Sequence, residues 1–402
     1  MVEPIPVNPA ERLVQSISTA ELERRWKATR EMMRERGIDY LVMQNHEEYL
    51  GGMVRWFTDF AASYQYPMTV IFPVDDEMTV INCGMEPPAT QNFPPMSVAR
   101  GIGTSLGAVY FPTMHYTNTI EGELAVGALK GKKNPKIGWV EKAFIPVTFH
   151  DHVIGNLPGA TFVDVTEEVD QIRGIKSPEE IELIKVCAEL QDGCVEHLRQ
   201  TIKPGMRDYD VRAEAHYYCA KHGTSQGIVL VGSGPLGTMV PFELHRLQNH
   251  VIGSGDQVSV LVEVNGPCGY YTELQKIFVV EAEPTQALEE AFATAVECQD
   301  MIAAAMVPGA DPGELWSKGG AFLAEKGYEV PGRSWAHGQG LSLVERPNIR
   351  IDEPWKIQEG MNIAIHPTAA RKGVWAGVTD GYIVGKNGAE RIHKTPRTMV
   401  RI

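Results

Sequence analysis

The stretch from Gly255 to Val280, GDQVSVLVEVNGPCGYYTELQKIFVV, decides how the rest of the chain is read. Val258, Val260 and Val262 alternate with Ser259 and Leu261, which gives the run one apolar face and suits a β-strand. Asn265-Gly266-Pro267 is turn chemistry, because Asn and Gly tolerate a positive φ and Pro presets φ for the exit. Gly269-Tyr270-Tyr271-Thr272 then opens a second β-prone run that ends in Ile277-Phe278-Val279-Val280. The predicted hairpin carries Glu263 on its first strand and Glu273 on its second. A carboxylate in an apolar strand is costly to bury unless a partner or a metal ion compensates it. Two of them brought together by one hairpin point to a site. The plainer reading puts both on an open, solvated face.

Composition narrows the function classes. With 402 residues the chain is long enough for two domains. Hydrophobic residues make up 43% and charged residues 22%, the balance of a soluble globular protein with a sizeable core. A net charge of −14 argues against nucleic acid and anionic membrane as partners. No apolar run approaches the length of a membrane span, and MVEPIPVNPAERL lacks the pattern of a secretory signal. Cys83, Cys187, Cys194, Cys219, Cys268 and Cys298 show no paired spacing and read as reduced thiols of a cytoplasmic protein.

Upstream of the hairpin, Ser18-Thr19 with Glu21 opens an amphipathic helix that Gly37 stops. Strand-like runs follow at Asp39–Met43, Thr69–Phe72 and Met78–Ile81. After a helix-rich stretch come two more, at Lys136–Val140 and Ala160–Asp164. Residues 1–172 are therefore expected to form an α/β domain, without a glycine-rich phosphate loop. Gly51–Phe60 places Arg55, Trp56 and Phe57 close together, a composition that suits an exposed interface or ligand loop. A Trp packed inside its own domain is the competing reading.

A second domain is expected over residues 173–402. Ser177-Pro178-Glu179-Glu180 is a helix start, with Ser as N-cap, Pro in the first turn and Glu at N3. That helix ends at Pro204-Gly205, and a second helix stops at Gly223. The phrase returns: a helix ending at Pro308-Gly309 precedes one stopped by Gly327. A repeated helix–Pro-Gly–helix unit, each followed by strands, implies a pseudo-twofold domain with a cleft on the pseudo-axis. The second copy leads to Ser334-Trp335-Ala336-His337-Gly338-Gln339-Gly340-Leu341, where glycines would let the backbone approach a ligand around His337. Gly360-Met361-Asn362-Ile363-Ala364-Ile365-His366 reads as a strand ending in a second His, and Asp380 lies inside a further strand.

Together these motifs resemble the creatinase/aminopeptidase P (M24, pita-bread) family. The resemblance rests on Lys176–Glu180, the two Pro-Gly helix pairs, Gly255-Asp256, Gly269–Glu273, His337–Leu341 with Glu345-Arg346-Pro347, and the Gly360-Met361 strand. It implies an α/β (α+β) chain: an N-terminal creatinase/prolidase-like domain and a C-terminal pita-bread domain. In the family's metallopeptidases two aspartates, one His and two glutamates hold a dinuclear metal centre. Here Glu263 and Glu273 take the aspartate positions in a hairpin one residue shorter, and His337 takes the His position. The two glutamate positions fall on His366 and on Thr379, beside Asp380. Gln275-Lys276-Ile277 stands where the family has Thr-Arg-Thr.

That divergence argues against the standard metal pair, because bridging carboxylates are replaced. The expectation is a metal-free, creatinase-like hydrolase cleaving an amide or amidino C–N bond of a small nitrogenous metabolite. His337, His366, Glu263 and Glu273 would be its catalytic groups. Substrate-binding candidates are His245, Tyr271, Arg346, Asp380, Arg55 and Trp56, with His250 as the alternative to His245. The alternative cofactor is a single divalent ion (Mn, Zn or Fe) on ligands drawn from Glu263, Glu273, His337, His366 and Asp380. Alternative functions are a metal-dependent Xaa-Pro peptidase or dipeptidase, a family lyase acting on a charged small metabolite, and a non-enzymatic peptide-binding protein. The resemblance also implies a homodimer in which the N-terminal domain of one subunit closes the site of the other.

Overall fold

The structure, a computed structural model, describes residues 15–45, 50–61, 66–83, 98–108 and 114–402. The chain divides into two compact units, Met1–Arg173 and Gly174–Ile402. Among the described residues no helix is long and apolar enough to cross a membrane.

The N-terminal unit runs α1 (Thr19–Arg36), β1 (Tyr40–Asn45), α2 (Met53–Thr58), β2 (Met68–Pro73), β3 (Met78–Cys83), β4 (Ile102–Ala108), α3 (Ile120–Leu129), β5 (Lys136–Trp139), α4 (Val147–Asn156), β6 (Thr161–Asp164) and α5 (Thr166–Arg173). Ser18 caps α1 by accepting from the Glu21 N–H, and Gly37 ends it in the left-handed conformation. The strands form one mixed sheet in the order β4-β3-β2-β1-β5-β6. β4 lies in the stretch expected to be helical. Its sequence, IGTSLGA, hides a strand behind two glycines and two hydroxyls, and pairing beside β3 overrides those weak propensities.

The segment expected to be an exposed loop is instead α2. Trp56 is only 2% exposed, its ring sits edge-on to Phe57 at 5.0 Å, and the Arg25 guanidinium lies 5.4 Å above it. Trp56 is thus core of its own domain and not an exposed anchor, because burying a large aromatic gains more than presenting it to water. Arg55, half-buried, lies on the same short helix. His46–Tyr49, the start of that stretch, lie outside the described residues.

The C-terminal unit begins with α6 (Pro178–Thr201), α7 (Asp208–Lys221), β7 (Gly227–Pro235), β8 (Asp256–Asn265) and β9 (Tyr271–Val279). It continues with α8 (Gln286–Ala305), α9 (Pro312–Glu325), β10 (Ala336–Gly338), β11 (Glu345–Asn348), β12 (Asn362–Ile365), β13 (Thr368–Arg371), β14 (Val374–Gly377), β15 (Asp380–Gly385), β16 (Gly388–Arg391) and β17 (Val400–Arg401). The two halves repeat in detail. Gly205 and Gly309 both adopt a positive φ, near 91° and 92°. Each donates its N–H to an isoleucine carbonyl, Ile252 or Ile357, at 2.8 Å. Those isoleucines donate back to Met206 and Ala310. Gly223 and Gly327 both close their helices at positive φ.

Besides the two-stranded β13-β14, one sheet, β17-β9-β8-β7, backs onto α6 and α7, and another, β11-β10-β12-β15-β16, backs onto α8 and α9. The sheets meet where the Gln275 N–H bonds the Thr379 carbonyl at 3.0 Å and the Tyr271 N–H bonds the Gly340 carbonyl at 2.7 Å. Side-chain alternation then assigns the faces. Val258, Val260, Val262 and Val264 of β8, with Leu274 and Phe278 of β9, pack against α6 and α7. Gln257, Ser259, Leu261 and Glu263, with Tyr271, Glu273 and Gln275, point the other way, toward the second half.

Candidate active site

Glu263 and Glu273 are direct partners across the β8–β9 ladder. Both are buried, at 4% and 3% exposure. Gln191 of α6 holds the hairpin from behind, donating through Nε2 to the carbonyls of Val264 at 3.1 Å and Thr272 at 2.5 Å, the residues adjoining the two glutamates. Burial raises the pKa of Glu263 well above the ordinary carboxylate value, and the charge of Glu273 raises it further. Both effects favour the neutral form of Glu263. Gln339 fixes that carboxyl by donating to Oε1 at 2.9 Å.

His337 enters from β10 and His366 from the residue after β12. Their ring centroids are 5.2 Å apart. His337 Nδ1 lies 3.0 Å from the Gly338 carbonyl, which only accepts, so Nδ1 carries the proton and Nε2 keeps its lone pair. The Nε2 of His366 is buried without a partner. Burial pushes the pKa of His366 well below 6.5, helped by His337 and by the exposed Arg333 guanidinium, so the ring is neutral. Neutral imidazole is the metal-ligating form.

Glu273, His337 and His366 each place a ligand atom within 4.8 Å of the other two. Two imidazole nitrogens and one carboxylate suit a single divalent ion of the Mn, Fe or Zn type. A second ion is not supported by the neighbours. Thr379 and Gln275, standing where further ligands would be needed, are hydrogen-bonded to each other at 3.1 Å. Glu263 lies outside the group of three and is held by Gln339.

The glycines around His337 serve a different purpose from the one expected. A Cβ on Gly338 would lie 2.4 Å from the Arg346 carbonyl, and one on Gly340 would lie 2.4 Å from Glu345 Oε1. They permit close packing against β11 and against the buried Lys176–Glu345 ion pair at 2.6 Å.

Several expected site residues lie elsewhere. Asp380 follows Thr379 by one residue, so it projects from the opposite face. There it pairs with Arg391 at 2.7 Å and lies 3.7 Å from His393 Nδ1. Arg346 is bound to Glu353 at 2.5 Å and stacks on Trp355 at 4.1 Å, so it is not available to a substrate carboxylate. His245 is exposed on a helical turn, and His250 is 2.7 Å from Asp256; neither joins the His–carboxylate group. Tyr271 is fully buried on the strand face of Glu273. Gln339 and Arg333 had been given no role in the sequence. The only hint for Gln339 was its place two residues after His337.

The comparisons agree with this architecture. Residues 25–175 match the creatinase/prolidase N-terminal domain. An uncharacterized peptidase of Bacillus subtilis is 26% identical over 250 residues, covering 60% of this chain and 68% of that protein. A Xaa-Pro dipeptidase of Pyrococcus furiosus is 25% identical over 252 residues, with the same coverages. The solved Xaa-Pro dipeptidase from Bacillus anthracis superposes with a TM-score of 0.75 at 21% identity, over 95% of this chain and 100% of that one. The prolidase from Pyrococcus horikoshii gives 0.75 at 22% identity, over 94% and 100%. These likenesses place the fold, and residues 182–395, which hold Glu273, His337 and His366 together with Glu263, match a single family: the chain belongs to metallopeptidase family M24.

Proposed function

We propose that this chain hydrolyses the amide C–N bond of a small, dipeptide-like substrate, using one divalent metal ion held by Glu273, His337 and His366. The observation that carries this is the convergence of three ligand atoms, one each from Glu273, His337 and His366, within 4.8 Å of one another, beside the unpartnered Nε2 of His366. An apolar-buried, unbonded imidazole nitrogen is costly unless something is meant to occupy it. The names of two relatives, Xaa-Pro dipeptidases at 25% and 24% identity, support an amide substrate.

When bound, the ion would supply Lewis acidity and lower the pKa of water. The remaining work falls to the chain's own groups. Water adds to the amide carbonyl carbon, the C–N bond breaks, and the amine leaves with a proton. Glu263, whose neutral form is favoured by burial and by Glu273, lies beside this centre and is the candidate acid for the leaving nitrogen. Gln339 fixes the donor's orientation. The test is hydrolysis of glycyl-proline before and after chelation and metal restoration. Activity that vanishes with chelator and returns with Mn, Zn or Fe supports the reading; activity indifferent to chelator overturns it.

A second reading is the creatinase-like one, in which a neutral imidazole and a protonated carboxyl act as base and acid without an ion. The closeness of His337 and His366 and the raised pKa of Glu263 favour it. The same chelation experiment separates the two.

A further inference from the structure

We propose that Gln275 is a substrate-binding residue whose side-chain amide donates a hydrogen bond to an uncharged carbonyl oxygen of the substrate. The inference rests on the hydrolase reading above and extends it to the recognised group. Gln275 lies two residues beyond Glu273 on the same strand, so both side chains share one face, about 7 Å apart. The side chain is 4% exposed. Thr379 Oγ1 donates to its Oε1 at 3.1 Å, which fixes the rotation of the amide and turns the NH2 away from Thr379. That Nε2 is buried and has no partner.

The backbone is shaped around this amide. A Cβ at Gly377 would lie 2.8 Å from both end atoms of Gln275, so only glycine leaves the group its place. Gln275 and Thr379 occupy positions where the family resemblance calls for Thr and for a metal-binding glutamate. What stands there instead is a neutral donor with a locked orientation. A buried donor without charge suits a carbonyl oxygen better than a carboxylate, whose charge it would not compensate. Gln339 Oε1, also buried without a partner, is an amide oxygen and can only accept, so it cannot fill this role.

Glycyl-proline and its reduced analogue, in which a CH2 replaces the amide C=O, provide the test. Binding of each is measured by calorimetry on wild type and on Gln275→Leu, with hydrolysis and metal content followed in parallel. Loss of about tenfold in glycyl-proline affinity, with the reduced analogue and metal content unchanged, is the expected result. Gln275→Met, which keeps the length and removes the donor, should show the same selective loss and serves if the leucine variant does not fold. Equal affinity of wild type and variants for glycyl-proline, equal losses for both ligands, or no binding of glycyl-proline by wild type would each overturn the proposal. Hydrolysis untouched by the substitutions would overturn this inference alone. A Gln275-dependent preference for the carbonyl without any hydrolysis would overturn the hydrolase reading and leave this one standing.

Discussion

His366 reaches the site as a neutral ring with a buried, unbonded Nε2, and Glu273 and His337 each place a ligand atom within 4.8 Å of one of its ring nitrogens. Removing one of three ligands should cripple an ion site whose ligand group, among the described residues, has three members. For His366→Ala we expect metal content to fall to a small fraction of the wild-type value and kcat/KM to drop by about 100-fold or more, read by elemental analysis and steady-state kinetics. Unchanged metal content would remove His366 from the ligand set. Asp380 makes the opposite prediction. It balances Arg391 and the buried Lys276, whose pKa burial lowers to about 8, on the far face of the sheet. Asp380→Asn should therefore cost about 3 kcal/mol of stability, by denaturant titration, because it leaves buried cations uncompensated. Metal content should not change; loss of the ion without loss of stability would return Asp380 to the site.

The β8–β9 hairpin owes its rigidity to a chain of contacts behind it. Gln191 bonds both strands, and its Oε1 accepts from His393 Nε2 at 2.9 Å. His393 Nδ1 accepts from the Gly381 N–H at 3.1 Å. The ring is therefore neutral, and burial lowers its pKa to about 4, against the attraction of Asp380. The unfolded chain takes up a proton near pH 6.5 and the folded chain resists until about 4, so this group's contribution is complete above 6.5 and is lost as pH falls toward 4. The loss is roughly 3 kcal/mol over that window. Wild type should lose stability between pH 7 and 5 more steeply than His393→Gln, measured as denaturation midpoints; parallel slopes would contradict the assignment.

At this scale the sequence was readable where function followed a local pattern. The predicted hairpin over 255–280 brought Glu263 and Glu273 together, flanking glycines flagged His337, and the strand ending in His366 flagged that residue. Period-two alternation, applied to Thr379 and Asp380, would have sent Asp380 to the other face. Arg346, His245 and Trp56 were not legible, since their placement depends on Glu353, on the surroundings of a surface turn and on the packing around Phe57.

The pseudo-twofold of the C-terminal unit was legible from two Pro-Gly phrases, because each fixes a positive-φ glycine that bonds the isoleucine after it in space. β4 was not legible, its pairing being set by β3 and not by its own propensity. With Trp56 buried, the residue that suggested a subunit interface no longer does so. The homodimer stays as a proposal from the resemblance, with a dimer by sedimentation expected and a monomer contradicting it. The central claim concerns the ion. The most direct measurement is the metal stoichiometry of purified wild-type protein, by elemental analysis after removal of loosely held ions. One Mn, Fe or Zn per chain is the expected result, whereas two per chain or none would contradict the single-ion site of Glu273, His337 and His366.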